Sequence, residues 1–369
     1  MNPIVYAIPV FMASILIEAW VARRRGVKIY DIPDAITSLN FGILSQVSGV
    51  FVRVFTFGIY AWVFENLRLT TLPESSVWVW IGALIAYDFT YYWVHRCGHE
   101  VNLIWASHQV HHSSEWYNLS TALRQTSTGA FFIFPFYLPM ALAGVPPVVF
   151  GTVALIDLLY QYWVHTELVR KLGWMDRVFV TPSNHRVHHG QNDYCIDRNY
   201  GGIFILWDRL FGSFAEERDN DPVVYGVRKQ LASYNPFWGN LNVYADVLKK
   251  SLGEQTLHGA LRTWIDPPAG RGVPLPHLDT RTVKRFDTAT PASIRRYAVA
   301  QYAVLALGFT YFLAVAHELS MGLQIVSALV VMASVISIGW LLEGRRYARF
   351  FEAARLGAIA AGVLWAVST

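Results

Sequence analysis

Long apolar runs are the feature that most constrains how this 369-residue chain can fold. Hydrophobic residues make up 54% of the sequence, charged residues only 15%, and the mean hydropathy is +0.31. This balance is not typical of water-soluble proteins, and about 20 apolar residues suffice to cross a bilayer as a helix. We therefore predict an all-α fold, a polytopic bundle of transmembrane helices. The apolar runs cover residues 2–22, 37–64, 77–94, 128–143, 148–164, 297–316, 319–342 and 351–367.

The basic residues lie mostly at the ends of these runs. Arginines occupy positions 23–25, 295–296 and 345–346, and the positive-inside rule places such residues on the cytoplasmic side. The same topology brings the histidine-rich segments to that side. We expect a multi-pass integral membrane protein with its active site facing the cytoplasm. Because this distribution also explains the net charge of +4, we expect no nucleic-acid partner.

The runs divide the chain into four predicted regions. Residues 1–76 form N-terminal transmembrane helices, and residues 77–216 form a catalytic core. Residues 217–293 are polar, balanced in charge and interrupted by prolines, which indicates a cytosolic cap and loop. Residues 294–369 form C-terminal transmembrane helices.

Histidines cluster where the apolar runs end. His95 and His99, in "HRCGH", are four residues apart and share one helix face. "YYWVHR" ends the third run at His95, and the similar "QYWVHT" ends the fifth run at His165. We expect these two helices to deliver imidazoles at the same depth.

The pattern H-x-x-H-H occurs twice, as "HQVHH" at 108–112 and "HRVHH" at 185–189. Adjacent histidines on a helix diverge by roughly 100°, so each copy can supply two metal ions. The spacing predicts a dinuclear site in the histidine-rich cap. The predicted metal ligands are His95, His99, His108, His111, His112, His165, His185, His188 and His189.

Ligand number narrows the choice of metal. Imidazole binds zinc, copper, iron and nickel, but a structural zinc takes about four ligands and a catalytic zinc about three. Eight or nine neutral donors fit two iron ions that leave positions open for dioxygen. The sequence therefore predicts an oxidative, dioxygen-dependent enzyme.

Two acidic residues are candidates for support of these ligands. Asp88 lies seven residues before His95, and Asp157 lies eight residues before His165, so each stays roughly on its histidine's face. A carboxylate within a transmembrane run indicates a functional role. Either could accept an imidazole N–H and fix the tautomer; the alternative is a pairing with a tyrosine hydroxyl among the helices.

These motifs resemble the three histidine boxes of the fatty acid hydroxylase and sterol desaturase superfamily of membrane di-iron enzymes. The stretches at 108–125, 163–167 and 181–214 are similar in particular to members that cleave the ether bond of O-alkylglycerols. Asn184 stands where some members carry another histidine. The resemblance implies a monooxygenase that takes two iron ions, a lipid, dioxygen and the reductant tetrahydrobiopterin. It also implies that Glu115 binds the pterin.

The segment 203–214, "IFILWDRLFGSF", follows the third motif. Its apolar side chains could lie on the membrane surface, with Asp208 and Arg209 facing water. The alternative is a helix that packs the cap against the transmembrane bundle.

Three functions remain open from the sequence. The first is oxidative cleavage of O-alkylglycerols. The second is hydroxylation or desaturation of a sterol, carotenoid or acyl lipid with electrons from a redox protein. The third is a membrane metal-binding or metal-transport protein without catalysis. A transporter should place ionisable residues along a path through the bilayer, whereas these histidines lie in one layer.

Overall fold

The structure is a computed structural model that describes residues 4–368. Within that range it contains helices, two isolated β-bridges and no β-strand, so the all-α prediction is confirmed. Residues 2–3 of the first predicted run lie outside the described residues, as do residues 1–3 and 369 of the predicted terminal regions.

The α-helices of the described residues follow one another closely along the chain. They are α1 (Ile4–Arg24), α2 (Ile32–Leu67), α3 (Val77–Glu100), α4 (Asn102–His112), α5 (Leu119–Ala122), α6 (Ala130–Ile133), α7 (Leu138–Leu142), α8 (Pro147–Trp163), α9 (Met175–Val178), α10 (Pro182–His188), α11 (Leu206–Phe211), α12 (Pro236–Leu252), α13 (Leu257–Ile265), α14 (Ala292–Val315), α15 (Met321–Leu342) and α16 (Ala348–Ser368). Short 3-10 helices lie at Phe134–Tyr137, Thr280–Thr282 and Ala316–Glu318.

Among residues 4–368, four helical spans are long and apolar enough to cross a membrane. They are α1, α2, α14 with the short helix that extends it to Glu318, and α15. The chain is therefore a multi-pass membrane protein. The helices α3, α8 and α16 also form where apolar runs were predicted, but they are shorter or less apolar than these four.

The predicted run 128–143 forms an apolar helical segment, Ala130–Leu142, that is not a regular α-helix throughout. Pro135 and Pro139 divide it into α6, a 3-10 turn and α7, because proline cannot donate a backbone hydrogen bond and its ring clashes with the preceding turn. The run is thus helical as predicted, but at Ala130–Leu142 it is shorter than the four candidate membrane spans. The region packs instead with α3 and α8, and Val149 and Val153 of α8 are buried in that cluster.

The 36-residue α2 joins two parts of the molecule. Its first half, including Ile36 and Ile43, packs with α14 and α15, whereas Tyr60 and Val63 in its second half pack with α3, α7 and α8. Asp31 caps its amino terminus by accepting the N–H of Asp34. The helix α4 packs against both α3 and α12. The histidines lie within or just after α3, α4, α8 and α10 and meet in one layer.

Candidate metal centre

The structure brings all nine predicted histidine ligands together in two groups. Within each group, the potential ligand atoms lie within 4.8 Å of one another. The larger histidine group contains His95, His99, His108, His112 and His188. The smaller histidine group contains His111, His165, His185 and His189.

Each H-x-x-H-H motif serves both groups. In α4, His108 and His112 belong to the larger histidine group, and His111 belongs to the smaller one. The assignment is reversed in the second motif. His185 and His189 belong to the smaller histidine group, and His188 belongs to the larger one. The i and i+4 residues of each motif therefore stay together because they share a helix face, while the i+3 residue crosses to the other group.

The two groups are neighbours. The rings of His112 and His189, one from each group, stack with centroids 4.4 Å apart. Along the chain, His111 and His112 have centroids 5.4 Å apart, and those of His188 and His189 are 5.3 Å apart. This arrangement suits two metal ions side by side.

Backbone carbonyls orient two imidazoles of the larger histidine group. His95 Nδ1 donates to the Tyr200 carbonyl at 2.7 Å, and His188 Nδ1 donates to the Arg198 carbonyl at 2.9 Å. A carbonyl oxygen can only accept, so Nδ1 carries the proton and Nε2 keeps its lone pair. Nε2 of His188 is buried and has no hydrogen-bond partner among the described residues. Both rings present a ligand atom to the group.

The donor atoms of the smaller histidine group are also arranged to suit a cation. His111 Nδ1 donates to the Arg124 carbonyl at 3.1 Å, and His165 Nδ1 donates to the Gln161 carbonyl at 2.8 Å. Their Nε2 atoms, both left with lone pairs, lie 3.2 Å apart. Two lone pairs at this distance repel each other unless a cation lies between them. The donor set therefore fits a metal ion.

Burial keeps these imidazoles neutral. It lowers the pKa of His111 to about 4, and it holds the pKa values of His185 and His189 well below the usual range, with nearby imidazoles acting in the same direction. Histidine binds a metal in its neutral form, so the fold holds the ligands ready at neutral pH.

Within residues 4–368, Asp88 makes no hydrogen bond to an imidazole, so of the two alternatives the direct acceptance of an imidazole N–H is not observed. Its carboxylate accepts the backbone N–H groups of residues 203–204 at 2.6 and 3.2 Å, and the indole N–H of Trp207 at 2.8 Å. The loop that it anchors begins at Tyr200, whose carbonyl orients His95. Asp88 thus supports His95 through this loop and not by a direct hydrogen bond.

Asp157 also supports its histidine through another residue. Its carboxylate accepts the side-chain amide of Gln161, whose backbone carbonyl, rather than a carboxylate, orients His165. Asp157 Oδ1 and Asp88 Oδ1 both lie against Gly202, and a Cβ at this glycine would lie 2.6 and 2.8 Å from them. The two aspartates and Gly202 therefore clamp the loop of the third motif onto α3 and α8.

Glu115 lies away from the imidazoles, in the segment after α4. Its two carboxylate oxygens accept the side-chain amide of Gln230 and the backbone N–H of Phe286. Burial raises its pKa. A cavity of about 20 Å³ lies beside it. Glu115 holds two parts of the cap against the histidine layer.

The segment 203–214 packs partly inward. Asp208 is fully buried and accepts the N–H groups of Tyr200 and Gly201, so the prediction that it faces water was wrong. The reason is that these loop N–H groups need an acceptor within the fold. Leu206 and Leu210 on the same short helix are exposed.

Glu18 is a buried residue that we did not single out from the sequence. It accepts the Leu119 N–H at 2.8 Å and the hydroxyls of Tyr30 and Thr166. These bonds tie α1 to the segments that follow α4 and His165. The signal was present in the sequence, since Glu18 is a lone carboxylate within the first apolar run.

A cavity of about 350 Å³ extends from the histidines into the helices. Two histidines of each group, His95 and His108, then His111 and His165, line its floor. Side chains of α1, α2 and α14 line its far end. Its size is within the range of small-molecule and lipid sites, roughly 300–1,000 Å³. The metal centre is thus open to an apolar ligand.

Comparison with known proteins agrees with this arrangement. Residues 80–213 match the family model of fatty acid hydroxylases. The chain is 36% identical over 370 residues to alkylglycerol monooxygenase of Homo sapiens, an alignment that covers 95% of this chain and 80% of that protein. The Danio rerio protein of the same name is 38% identical over 361 residues, with 95% and 79% covered.

A shorter alignment with alkylglycerol monooxygenase of Xenopus tropicalis is 45% identical over 222 residues, which is 60% of this chain and 48% of that protein. No solved structure matches the chain significantly. The long alignments, the hydroxylase match and the paired histidine groups lead to one conclusion: the chain belongs to the alkylglycerol monooxygenase family of fatty acid hydroxylase-type membrane enzymes.

Proposed function

We propose that this chain is a di-iron monooxygenase that cleaves the ether bond of O-alkylglycerols. The observation that carries the proposal is the position of the paired histidine groups at the floor of a largely apolar cavity. The relatives named alkylglycerol monooxygenase support the substrate class.

The larger histidine group would hold one iron ion and the smaller histidine group a second. The larger histidine group offers five imidazole donors and the smaller one four, which would leave positions open for dioxygen. When bound, the iron pair supplies the activation of dioxygen. The protein contributes the orientation of the ligands, through the carbonyls of Tyr200, Arg198, Arg124 and Gln161.

The reaction starts at the alkyl carbon next to the ether oxygen, where that oxygen stabilises a carbon radical. One oxygen atom of dioxygen enters the C–H bond, the other leaves as water, and an external reductant supplies two electrons that are balanced by two protons. The product is a hemiacetal, which collapses to an aldehyde and glycerol. The cavity positions this carbon near the histidines and excludes bulk water from the reacting atoms.

As the reductant we propose tetrahydrobiopterin, with Glu115 as its binding residue. Two carboxylate oxygens side by side are suited to adjacent N–H groups of a pterin ring. In this structure Gln230 and Phe286 occupy both oxygens, and the neighbouring cavity of about 20 Å³ is far too small for such a ring. The pterin does not fit beside Glu115 in this arrangement, so the segment around Phe286 would have to move first.

We propose that the metal centre faces the cytoplasm and that residues 77–216 are the catalytic core. The basic end of α1 supports the orientation, because Arg25 donates to the carbonyl of Leu168, three residues after His165. The positive-inside rule puts this end of α1 on the cytoplasmic side. A single cysteine introduced at residue 25 can be labelled from either side of sealed vesicles. Labelling from the cytoplasmic side of the membrane would agree with the orientation, and labelling from the opposite side would contradict it.

The test of the reaction uses the purified full chain in lipid nanodiscs with 1-O-hexadecylglycerol, labelled dioxygen and reduced tetrahydrobiopterin. We expect hexadecanal that carries the oxygen label, and about two iron ions per chain by elemental analysis. His189→Ala should abolish the aldehyde. The matched control is His258→Ala, because His258 is exposed and belongs to neither group.

Two other results would change the assignment. Hydroxylation or desaturation of a sterol or acyl lipid without ether cleavage would move the chain to that reaction class. Tight binding of metal without oxidation of any lipid would favour a metal-binding protein.

A further inference from the structure

The large cavity contains two sets of polar side chains. The first set lies on α3 and α8. Tyr91 donates to Gln161 at 2.7 Å, and Gln161 donates to Asp157. Asp157 Oδ1 has no hydrogen-bond partner among the described residues. It lies against Gly202, 2.6 Å from the position that a Cβ would take there, so the loop of the third motif fills the space beside it.

The second set lies beside the second histidine motif. Ser107, Gln125 and Thr126 all line the cavity. Ser107 directly precedes His108, and Gln125 directly follows Arg124, whose carbonyl orients His111. These side chains are therefore held next to both histidine groups by the same backbone that positions the imidazoles.

The second set has unused hydrogen-bonding capacity. Gln125 donates its amide N–H to the carbonyl of Ala122 at 2.8 Å, and nothing among the described residues donates to its amide oxygen. Ser107 donates its hydroxyl to the carbonyl of Ile104 at 2.7 Å, so its oxygen is left to accept. Thr126 accepts the N–H of Thr128 at 3.2 Å and makes longer contacts with the Thr128 hydroxyl, 3.3 Å, and with Asn240 on α12, 3.4 Å. A hydroxyl group of a ligand can both donate to the Gln125 oxygen and accept from a hydroxyl of the protein.

The other end of the cavity is apolar. Ile8 and Phe11 of α1, Ile43 of α2, and Ala306 and Phe309 of α14 line it. These helices are three of the membrane spans, so this end lies within the apolar layer. An alkyl chain is the ligand group that such a surface favours.

We propose that Ser107, Gln125 and Thr126 form a head-group subsite that binds the hydroxyl groups of the lipid, while α1, α2 and α14 hold its alkyl chain. This inference rests on the proposed function for its substrate class. With the head group held beside α4 and the chain directed along the cavity, the carbon at their junction faces the histidines of the floor. The subsite thereby selects which carbon is oxidised.

The subsite also sets specificity. A site that hydrogen-bonds a substrate hydroxyl rejects an analogue that lacks it, because the polar groups of the site are then left unpaired. Loss of one such hydrogen bond, about 1.4 kcal/mol, corresponds to about a tenfold change in affinity. The wild-type protein should bind 1-O-hexadecylglycerol more tightly than hexadecyl methyl ether, which has the same chain and no hydroxyl.

The experiment measures equilibrium binding of these two tritium-labelled lipids to the full chain in nanodiscs, which requires no turnover. Gln125→Leu and Ser107→Ala should each reduce the preference for the glycerol ether by about tenfold. Gln125→Glu keeps an acceptor oxygen and should retain more of the preference than Gln125→Leu. The matched control is Gln255→Leu, since Gln255 is exposed and outside the cavity. Iron content and thermal unfolding show whether each variant is folded.

A second readout is the position of oxidation. In folded Gln125→Leu, hydroxylation should spread from the first alkyl carbon to its neighbours, as mass spectrometry of specifically deuterated chains would show. Ala306→Phe should instead shorten the preferred chain and leave the preference for hydroxyls in place. If both Gln125→Leu and Ser107→Ala keep the wild-type preference, the subsite is wrong. If the wild-type protein oxidises no alkylglycerol, the proposed function fails, and the binding ratios still decide on the subsite.

Discussion

The larger and the smaller histidine groups are built from the same motifs but differ in how many donors they receive. The larger group has five imidazoles, two of them from α3, whereas the smaller group has four, and only His165 comes from outside the H-x-x-H-H motifs. Both groups line the cavity with two imidazoles each. A repeated motif therefore does not imply two equal sites, because the flanking helices determine how many further donors each site receives.

The two histidine groups differ in what remains after the loss of one ligand. Four donors remain in the larger histidine group but only three in the smaller one. We therefore expect the smaller group to be the more sensitive of the two to loss of a ligand.

The largest effect is expected for His165→Ala. The smaller histidine group would keep only three donors, and the position of His165 next to His111 at the cavity floor would be vacant. We expect loss of about half of the iron and a fall in turnover of more than about 100-fold. Elemental analysis and aldehyde formation measure both effects. Full iron occupancy in this variant would show that His165 is not a ligand.

A smaller effect is expected for His99→Ala. Four imidazoles of the larger histidine group remain, and His99 Nε2 has no hydrogen-bond partner whose loss would disturb the fold within the described residues. We expect iron affinity at that group to weaken by about tenfold, measured by competition with a chelator. A greater iron loss in His99→Ala than in His165→Ala would show that the larger histidine group is the more sensitive of the two.

Asp88→Asn tests the support of the larger histidine group. The amide has one acceptor oxygen instead of two, whereas Asp88 accepts three N–H groups from the loop that starts at Tyr200. We expect turnover to fall by about 10 to 100-fold, with iron lost preferentially from the larger group. Asp246→Asn, at an exposed position, is the control. Wild-type turnover in Asp88→Asn would leave this residue with a packing role only.

The smallest effect is expected for Asp157→Asn. An amide can still accept the Gln161 side chain, and the carbonyl that orients His165 belongs to the backbone of α8. We expect turnover to fall by about tenfold or less, with both iron ions retained. A loss of iron as large as in His165→Ala would show that Asp157 supports the smaller histidine group more directly than its contacts indicate.

Spacing along the sequence predicted which residues of the site meet, because helix periodicity fixes the face on which a side chain lies. His95 and His99 share a face at i and i+4, and the two H-x-x-H-H motifs follow the same rule. The apolar runs likewise predicted the helices, apart from the run that Pro135 and Pro139 interrupt. That interruption could have been predicted, because both prolines are visible in the sequence.

The support of the ligands could not be predicted in the same way. His95 and His111 are oriented by the carbonyls of Tyr200 and Arg124, and nothing in a side-chain pattern states where a loop carbonyl will point. The burial of Asp208 has the same origin, because its partners are loop N–H groups. The cavity could not be predicted from the sequence either, because its lining comes from helices far apart in the chain.

The distribution of the ligands along the chain also determines when the centre can form during synthesis. Every ligand of the first two motifs has left the ribosome before α10 does, yet the larger histidine group needs His188 and the smaller one needs His185 and His189. Neither group is complete in a nascent chain that ends before residue 185. Neither group can therefore be completed before translation of the third motif, and the helices that precede it are synthesised while both groups are still incomplete.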